Sequence, residues 1–210
     1  EKYLLGGDLI PASVLLHLNR GLAGEVLETL KINDLKNAQV KNHVIATAYK
    51  SLEAAAEYVR TQGYESVILG DTITGEAQVV GVEQAALARQ YSQGQNSQKL
   101  PIAFISGGEC TVTIPSGIKG RGGRCSEYLL SLLAASTDLP EMAALAADTD
   151  GIDGTEKNAG AWFTPAMRQA AYEQGLIPAT FLAGHDCYRF FAQLDALVET
   201  GPTLTNVNDF

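Results

Sequence analysis

The hydrophobic positions alternate between short continuous runs and runs with helical spacing from residue 42 onward. Continuous apolar runs at 44–46, 66–69 and 102–105 predict buried strands. Between them, apolar residues recur three or four positions apart and predict helices over about 49–59, ending at Gly63, and over 76–91. Strands that alternate with helices of this length predict a parallel or mostly parallel sheet covered on both faces.

The second half of the chain repeats this pattern. It predicts helices over 126–135 and 158–174, a short helix from Gly184 that includes Phe190 and Phe191, and strands at 143–147 and 196–198. Residues 92–99 are polar and predict a surface loop. The elements together predict an α/β fold with three layers, α/β/α, around a mostly parallel or mixed sheet. Residues 1–38, with a loose leucine stripe, predict a separate helical segment, and residues 39–210 predict the α/β domain.

Composition narrows the class of protein. The chain has 210 residues, 46% hydrophobic and 19% charged, which is typical of a globular protein. A net charge of −9 argues against general nucleic-acid binding. No apolar run approaches the roughly 20 residues that a membrane helix needs, and no signal peptide opens the chain. The three cysteines, with no CxxC pair, indicate free thiols in a reducing compartment, so we expect a cytoplasmic location.

A basic, glycine-rich loop at 117–124 stands out in this acidic chain. Glycines let backbone N–H groups approach a ligand, and a helix predicted to follow would add partial positive charge. The loop therefore predicts a site for phosphate or another small anion, although it is neither a Walker A motif nor a GxGxxG fingerprint. A surface turn with solvated cations is the alternative interpretation. The cations and glycines concerned are Lys119, Arg121, Arg124, Gly117, Gly120, Gly122 and Gly123.

Carboxylates follow two of the predicted strands. Glu109 comes after Gly107 and Gly108 at the end of one strand, and Asp150 and Asp153 follow another. Their spacing fails as a calcium loop but suits magnesium, which needs only one or two carboxylates beside ligand phosphates. Asp-Gly turns, in which the carboxylates accept backbone N–H groups, are the alternative. Because ligands of open α/β sheets bind beyond the carboxyl ends of the strands, we expect these acids and the basic loop to share one pocket.

Six motifs, in order, resemble the C-terminal part of the type II glycerate 2-kinases, the MOFRL family, some of whose members are named hydroxypyruvate reductase. They are SGGE at 106–109, GxGGR with Glu127 three residues later at 120–127, TDGIDG at 149–154, NAGA at 158–161, DxYxFF at 186–191 and TGPTxTNVND at 200–209. The resemblance implies ATP-dependent phosphorylation of D-glycerate at its 2-hydroxyl with a divalent metal such as Mg²⁺. It also implies a two-domain enzyme with the active site in the cleft between domains.

The same resemblance implies roles for individual residues. Arg124 would stabilise the transferring phosphoryl group or the glycerate carboxylate, while Glu109 and Asp150 would bind metal or orient the hydroxyl. Asp153 would join Asp150 as a metal ligand. Further contacts to phosphate or substrate would come from Gly107, Gly108, Lys119, Arg121, Gly122, Gly123, Thr203, Thr205 and Asn206. The chain departs from the family pattern at Cys110, Cys125, Lys157 and His185, which puts the choice of hydroxy acid in question.

The family's N-terminal domain carries a Gly-Lys-Ala motif that has no counterpart here. We therefore expect residues 1–38 to be the remnant of that domain or its linker, and this chain to be a fragment that is inactive alone. The expected partners are ATP, a small hydroxy acid and the missing domain, and a homodimer stays open. Two other functions are kept as alternatives: an oxidoreductase acting on hydroxypyruvate, and a non-catalytic module that binds a phosphorylated metabolite.

Overall fold

A computed structural model describes residues 10–36, 39–93 and 101–209. The chain divides into two compact units, residues 1–43 and 44–210. The first unit contains one helix, α1 (Ala12–Leu22), among its described residues. This helix lies within residues 1–38, and none of its residues, including those of the leucine stripe, is buried.

The second unit begins with a helix that packs on a pair of parallel strands. Helix α2 (Ala48–Thr61) starts at Thr47, whose Oγ1 accepts a hydrogen bond from the Lys50 N–H. Strand β1 (Glu65–Glu76) pairs with β2 (Ile102–Thr111) from Glu65 opposite Ile102 to Glu76 opposite Thr111. Leu52 and Ala56 of α2 pack against Ile105 of β2 in a small core. Both strands extend well beyond their apolar runs because glycine and polar residues continue the pairing.

The strand predicted at 44–46 is wrong. These residues form no strand, and Val44 and Ile45 are exposed to solvent. A short apolar run becomes a strand only where a neighbouring strand receives its backbone hydrogen bonds, and this run pairs with no described strand. The loop predicted over 92–99 lies mostly outside the described residues.

Two long helices pack against each other, and the second of them lies at the centre of the main core. Helix α3 (Ala77–Ser92) follows β1 directly, and α4 (Arg124–Ala135) begins two residues before the predicted start. Leu129, Leu130, Leu132 and Leu133 of α4 are fully buried. Because Arg124 is the first residue of α4, the helix fixes where its guanidinium projects.

A second sheet is antiparallel and contains β3 (Ala144–Ala147), β4 (Gly160–Phe163) and β5 (Leu197–Val198). The helix predicted over 158–174 is wrong in its first part, since β4 precedes α5 (Pro165–Glu173). Ala161 and Phe163 are buried on either side of the more exposed Trp162, which is the period of a strand. Pro165 and the cap Thr164 then start the helix.

Two short helices complete the fold. They are α6 (Pro178–Ala183), which the sequence pattern did not predict, and α7 (Cys187–Ala192), which it did. Phe190 and Phe191 of α7 are buried in the same core as α4.

The C-terminal stretch joins the two sheets. Asp209 forms isolated bridges with Gly108 of β2 and with Asp148, the residue after β3. Through these bridges the parallel pair and the antiparallel sheet meet, which confirms an α/β fold with a mixed set of strands. Among the described helices, none has the length and apolar composition needed to cross a membrane.

Candidate functional site

Arg124 is the centre of a network of carboxylates. Its Nη1 lies 2.6 Å from Glu109 Oε1, and its Nη2 lies 2.9 Å from Asp148 Oδ2 and 3.1 Å from Asp209 Oδ1. The side chain of Asp148 is 5% exposed, that of Arg124 is 31% exposed and that of Glu109 is 70% exposed. Arg124 is therefore anchored by buried acids on one side, while Glu109 lies on the solvent side.

The charges in this network change one another's protonation. Burial works to lower the pKa of Arg124, but the charges of Asp209, Glu109 and Asp148 outweigh it and raise that pKa. Burial and a hydrogen bond with Asp148 raise the pKa of Asp209 to about 7, against the opposing effect of Arg124. The arginine stays charged, and Asp209 keeps its proton to a higher pH than a solvated aspartic acid does.

The network forms one wall of a cleft of about 790 Å³. The cleft is lined by residues from five parts of the chain, among them Thr74, Glu109, Gly122, Gly123, Arg124, Glu127, Asp148, Asp150 and His185. The structure thus brings together the three residues that we predicted to be catalytic, Arg124, Glu109 and Asp150. A volume of this size accommodates a small-molecule ligand.

The backbone N–H groups at the start of α4 are not turned toward a ligand. Asp153 Oδ1 accepts a hydrogen bond from the Cys125 N–H at 3.0 Å, and Asp153 Oδ2 accepts one from the Ser126 N–H at 2.9 Å. Burial raises the pKa of Asp153, although these two residues' hydrogen bonds oppose that effect. Both oxygens are used within the protein, and Asp153 does not line the cleft. This geometry matches the alternative interpretation of an Asp-Gly turn and gives no support to Asp153 as a metal ligand.

Two glycines of the predicted phosphate site are explained by protein contacts. A Cβ at Gly108 would overlap the carbonyl of Ile73 on the neighbouring strand, and a Cβ at Gly123 would overlap the carboxylate of Asp153. Gly107 and Gly108 line a separate small cavity of about 50 Å³ beside Asp209. Gly122 and Gly123 remain in the cleft wall, so these two are the glycines placed to face a ligand there.

The other two cations of the basic loop lie away from the cleft lining. Arg121 pairs with Glu156, at 3.1 Å from Nε to Oε1, and its guanidinium lies 4.3 Å from the centre of the Tyr188 ring. Lys119 is exposed and does not line the cleft. The loop therefore contributes one arginine, Arg124, to the cleft.

Of the C-terminal polar residues predicted to bind ligand, Thr203 instead supports the acidic loop, residues 148–153. The Thr203 N–H donates to the Asp150 carbonyl at 3.0 Å, and Thr203 Oγ1 donates to the Thr149 carbonyl. Thr205 and Asn206 are exposed and lie outside the cleft lining. Thr203 thus holds the backbone that presents Asp150.

Two parts of the site were missed by sequence reasoning. One is the pairing of Asp148 and Asp209 with Arg124. Asp148 follows the same strand as Asp150, and Asp209 ends the TGPTxTNVND motif, but neither position indicates by itself that the side chain reaches Arg124. The other is a contact between His185 and Glu127, whose atoms Nδ1 and Oε1 lie 2.7 Å apart.

Within residues 10–36, 39–93 and 101–209, no group of three or more His, Cys, Asp or Glu side chains is arranged to hold a metal by itself. Glu109 and Asp150 nevertheless both line the cleft. Two carboxylates suit Mg²⁺, which usually takes its remaining ligands from water and phosphate.

The fold and the cleft define an α/β protein with a charged site of small-molecule size. The chain belongs to the MOFRL family, whose family model matches residues 102–209.

Relatives and solved structures agree with this membership. A glycerate 2-kinase of Pyrococcus horikoshii is 37% identical over 201 residues, covering 96% of this chain and 44% of its own length. A protein of Agrobacterium vitis named putative hydroxypyruvate reductase is 44% identical over 166 residues, covering 79% of this chain and 43% of its own length. A crystal structure of the Thermotoga maritima glycerate kinase has a TM-score of 0.75 at 30% identity, covering 82% of this chain and 41% of that protein. The chain thus spans less than half the length of these relatives.

Proposed function

We propose that the protein phosphorylates D-glycerate at its 2-hydroxyl with ATP, and that this chain supplies one wall of the active site. The observation that carries the proposal is the position of Arg124, which lies in a cleft with Glu109 and Asp150 within the family's matched region. Relatives named glycerate 2-kinase supply the reaction. On that basis we propose that ATP and D-glycerate are the substrates of this protein.

Arg124 has the properties of a group that stabilises a transferring phosphoryl group or a substrate carboxylate. Its planar guanidinium binds such anions through paired hydrogen bonds. Asp148 and Asp209 hold it from the buried side, so little reorganisation is needed when an anion arrives. Glu109 is the exposed partner, and we propose that it gives up its contact with Arg124 to the ligand.

Mg²⁺ fits the acids of this cleft. Glu109 and Asp150 would hold it, together with phosphate oxygens of ATP. When bound, it would neutralise the negative charge of the phosphates. We propose no metal role for Asp153, because both of its oxygens already accept backbone hydrogen bonds.

The second wall of the active site would come from another domain. The chain covers 43% and 44% of the lengths of the two relatives described first, which leaves room in those proteins for a further domain. We propose that these 210 residues are inactive without such a domain. Glycerate phosphorylation by the 210-residue chain at the rate of a complete kinase would contradict this.

A hydroxypyruvate reductase is a weaker proposal, although relatives carry that name. Dinucleotide-binding folds place the pyrophosphate on free N–H groups at a helix N-terminus. In α4 the carboxylate of Asp153 takes up the N–H groups of Cys125 and Ser126. Nicotinamide-dependent turnover of hydroxypyruvate by the purified protein would favour the reductase after all.

Replacing Arg124 tests the kinase proposal against a non-catalytic binding module. In the natural-length protein we expect Arg124→Ala to lower kcat/KM for glycerate by about 100-fold or more. Arg124→Lys should recover only part of that loss, because a single ammonium lacks the paired hydrogen bonds of a guanidinium. The assay follows ADP release with glycerate and ATP.

Arg60→Ala is the matched control, since Arg60 is an exposed arginine whose side chain pairs with Glu57 of the same helix, at 3.5 Å. It should leave the rate unchanged. If unaltered protein binds phosphorylated metabolites but shows no turnover, the non-catalytic module replaces the kinase. If Arg124→Ala keeps full turnover, Arg124 has no part in the reaction.

A further inference from the structure

His185 and Glu127 form a buried pair in the wall of the same cleft. Both residues line the cleft, and their side chains are 12% and 5% exposed. His185 Nδ1 lies 2.7 Å from Glu127 Oε1, although the ring is not turned into a well-aligned hydrogen bond. Since Nδ1 faces Glu127, Nε2 is the ring nitrogen left for a ligand in the cleft.

Glu127 is fixed by contacts on its other sides. Gln78 Nε2 donates to its Oε1 at 2.7 Å, and the Cys187 thiol lies 3.8 Å from its Oε2. Burial raises the pKa of the Cys187 thiol, so Cys187 remains a donor to this carboxylate. Glu127 also lies in the first turn of α4, three residues after Arg124. The same turn of helix therefore positions the arginine and the carboxylate behind His185.

The backbone of His185 has an uncommon conformation. Its φ is +49°, in the left-handed region that residues with a side chain rarely adopt. Hydrogen bonds from the His185 N–H to Leu182 and from the Asp186 N–H to Phe181, at 3.1 and 2.9 Å, hold this turn between α6 and α7. Such conformations concentrate where a side chain must be presented to a site.

Several charged groups surround the His185 ring. Glu127 of α4 faces it directly, and Glu76, at the junction of β1 and α3, lies near enough to feel its charge. Hydrogen bonds from Thr113 and Thr111 lower the pKa of Glu76, and the charge of His185 adds to that effect. The neighbouring Asp186 is engaged elsewhere, accepting from the Arg121 N–H and from Arg189 Nη1. Glu127 is thus the carboxylate that contacts the ring and can position it.

We propose that His185 is the proton acceptor of the reaction, with Glu127 as the residue that positions it. This inference rests on the proposed kinase function and adds a catalytic residue to it. The proton of the attacking substrate hydroxyl passes to His185 Nε2. The hydroxyl oxygen forms a bond to the γ-phosphorus of ATP, and the bond from that phosphorus to the β,γ-bridging oxygen breaks. Its electron pair leaves with ADP.

The carboxylates nearest Arg124 are less suited to this task. Glu109, Asp148 and Asp209 each lie within 3.1 Å of the guanidinium. The guanidinium engages Glu109 and Asp148, and Asp209, whose pKa is raised to about 7, already holds a proton over most of the acidic range. An imidazole backed by a buried carboxylate is the arrangement by which many enzymes remove a hydroxyl proton near neutral pH.

The test measures the pH dependence of glycerate phosphorylation by the natural-length protein. His185→Gln should lower kcat by on the order of 100-fold, with little change in the KM for glycerate, and should abolish the acidic limb of the kcat profile. Glu127→Gln should cause a smaller loss of kcat and keep the acidic limb, since the imidazole is still present but is no longer held by a carboxylate. His17→Gln, at an exposed position of α1, is the matched control and should change nothing.

Circular dichroism of each variant establishes that it is folded, and His185→Asn provides a second substitution if His185→Gln is not. An unchanged kcat and acidic limb in a folded His185 variant would overturn this inference and leave the kinase proposal standing. Absence of glycerate phosphorylation by the unaltered protein would instead overturn the proposed function, and this inference with it.

Discussion

Single residues at the start of α4 divide between structural and ligand-facing roles. Asp153 takes the N–H groups of Cys125 and Ser126 inside the protein, whereas Arg124, the residue before them, projects into the cleft. The sequence shows both residues as charged groups next to glycines. Only the direction of each side chain separates a helix cap from a ligand-binding group, and that direction follows from the packing of the acidic loop against α4.

Asp153→Ala should lower the free energy of unfolding by about 2–3 kcal/mol, because it leaves two buried N–H groups without acceptors. Asp153→Asn should cost less, since its amide oxygen still accepts one of them. Urea unfolding followed by circular dichroism measures both changes. Asp138→Ala removes an exposed carboxylate that pairs with Arg89 and should cost clearly less than Asp153→Ala, because water screens an exposed ion pair. Equal losses for Asp153→Ala and Asp138→Ala would contradict the capping role.

At the scale of elements, the closeness of α3 and α4 depends on a small residue. A Cβ on Gly81 of α3 would lie 2.7 Å from the Tyr128 carbonyl oxygen and 2.8 Å from the Leu132 backbone nitrogen of α4. The helical pattern of α3 predicted its existence and approximate ends. The pattern did not predict how near α4 would come, because helix spacing depends on both surfaces at once.

Gly81→Ala should destabilise the protein by about 1–3 kcal/mol, since overpacking outweighs the roughly 1 kcal/mol by which alanine favours a helix. Gly21→Ala in α1 is the opposite case, because nothing lies within 4 Å of the added Cβ. That variant should be neutral or slightly more stable. Thermal and urea unfolding of the two variants measures the contrast. A Gly81→Ala protein as stable as Gly21→Ala would show that the helices move apart at no cost.

At the scale of the whole α/β unit, Asp209 connects chain segments that are distant in sequence. Its backbone bridges Gly108 and Asp148, and its carboxylate contacts Arg124 at 3.1 Å. The two sheets and the candidate site are thus stabilised by the same residue. Burial and the hydrogen bond with Asp148 raise the pKa of Asp209 to about 7.

This pKa gives stability a defined pH dependence. Between the ordinary pKa of 3.8 and about 7, the folded protein holds a proton on Asp209 that the unfolded chain releases. The contribution is therefore fully present below pH 3.8 and is lost as pH rises through about 7. Asp209→Asn should remove this component, so that the stability of the variant falls less between pH 4 and 7 than that of the unaltered protein.

The measurement is the urea midpoint at a series of pH values, and the difference between the two profiles isolates Asp209. Asp195→Asn, at an exposed position, should leave the profile of the unaltered protein intact. Parallel profiles for Asp209→Asn and the unaltered protein would contradict the raised pKa.

The sequence by itself determined the helices whose apolar spacing is visible within one short stretch of the chain. Helical spacing predicted α2, α3, α4 and α7, because side chains three and four positions apart share one helix face wherever the helix is placed. The same logic misassigned 158–163, where buried residues four apart satisfy both a strand and a helix. The ordered motifs pointed to the MOFRL family and to Arg124, Glu109 and Asp150, all of which line the cleft.

Tertiary structure decided which charged groups meet. Asp209 lies 85 residues from Arg124, and His185 lies 58 positions after Glu127, yet both pairs are in contact. It also turned Asp153, Arg121 and Thr203 toward protein partners. No local sequence pattern predicts such contacts, because each depends on how separate elements pack. A charged side chain pairs with whichever partner that packing brings within reach.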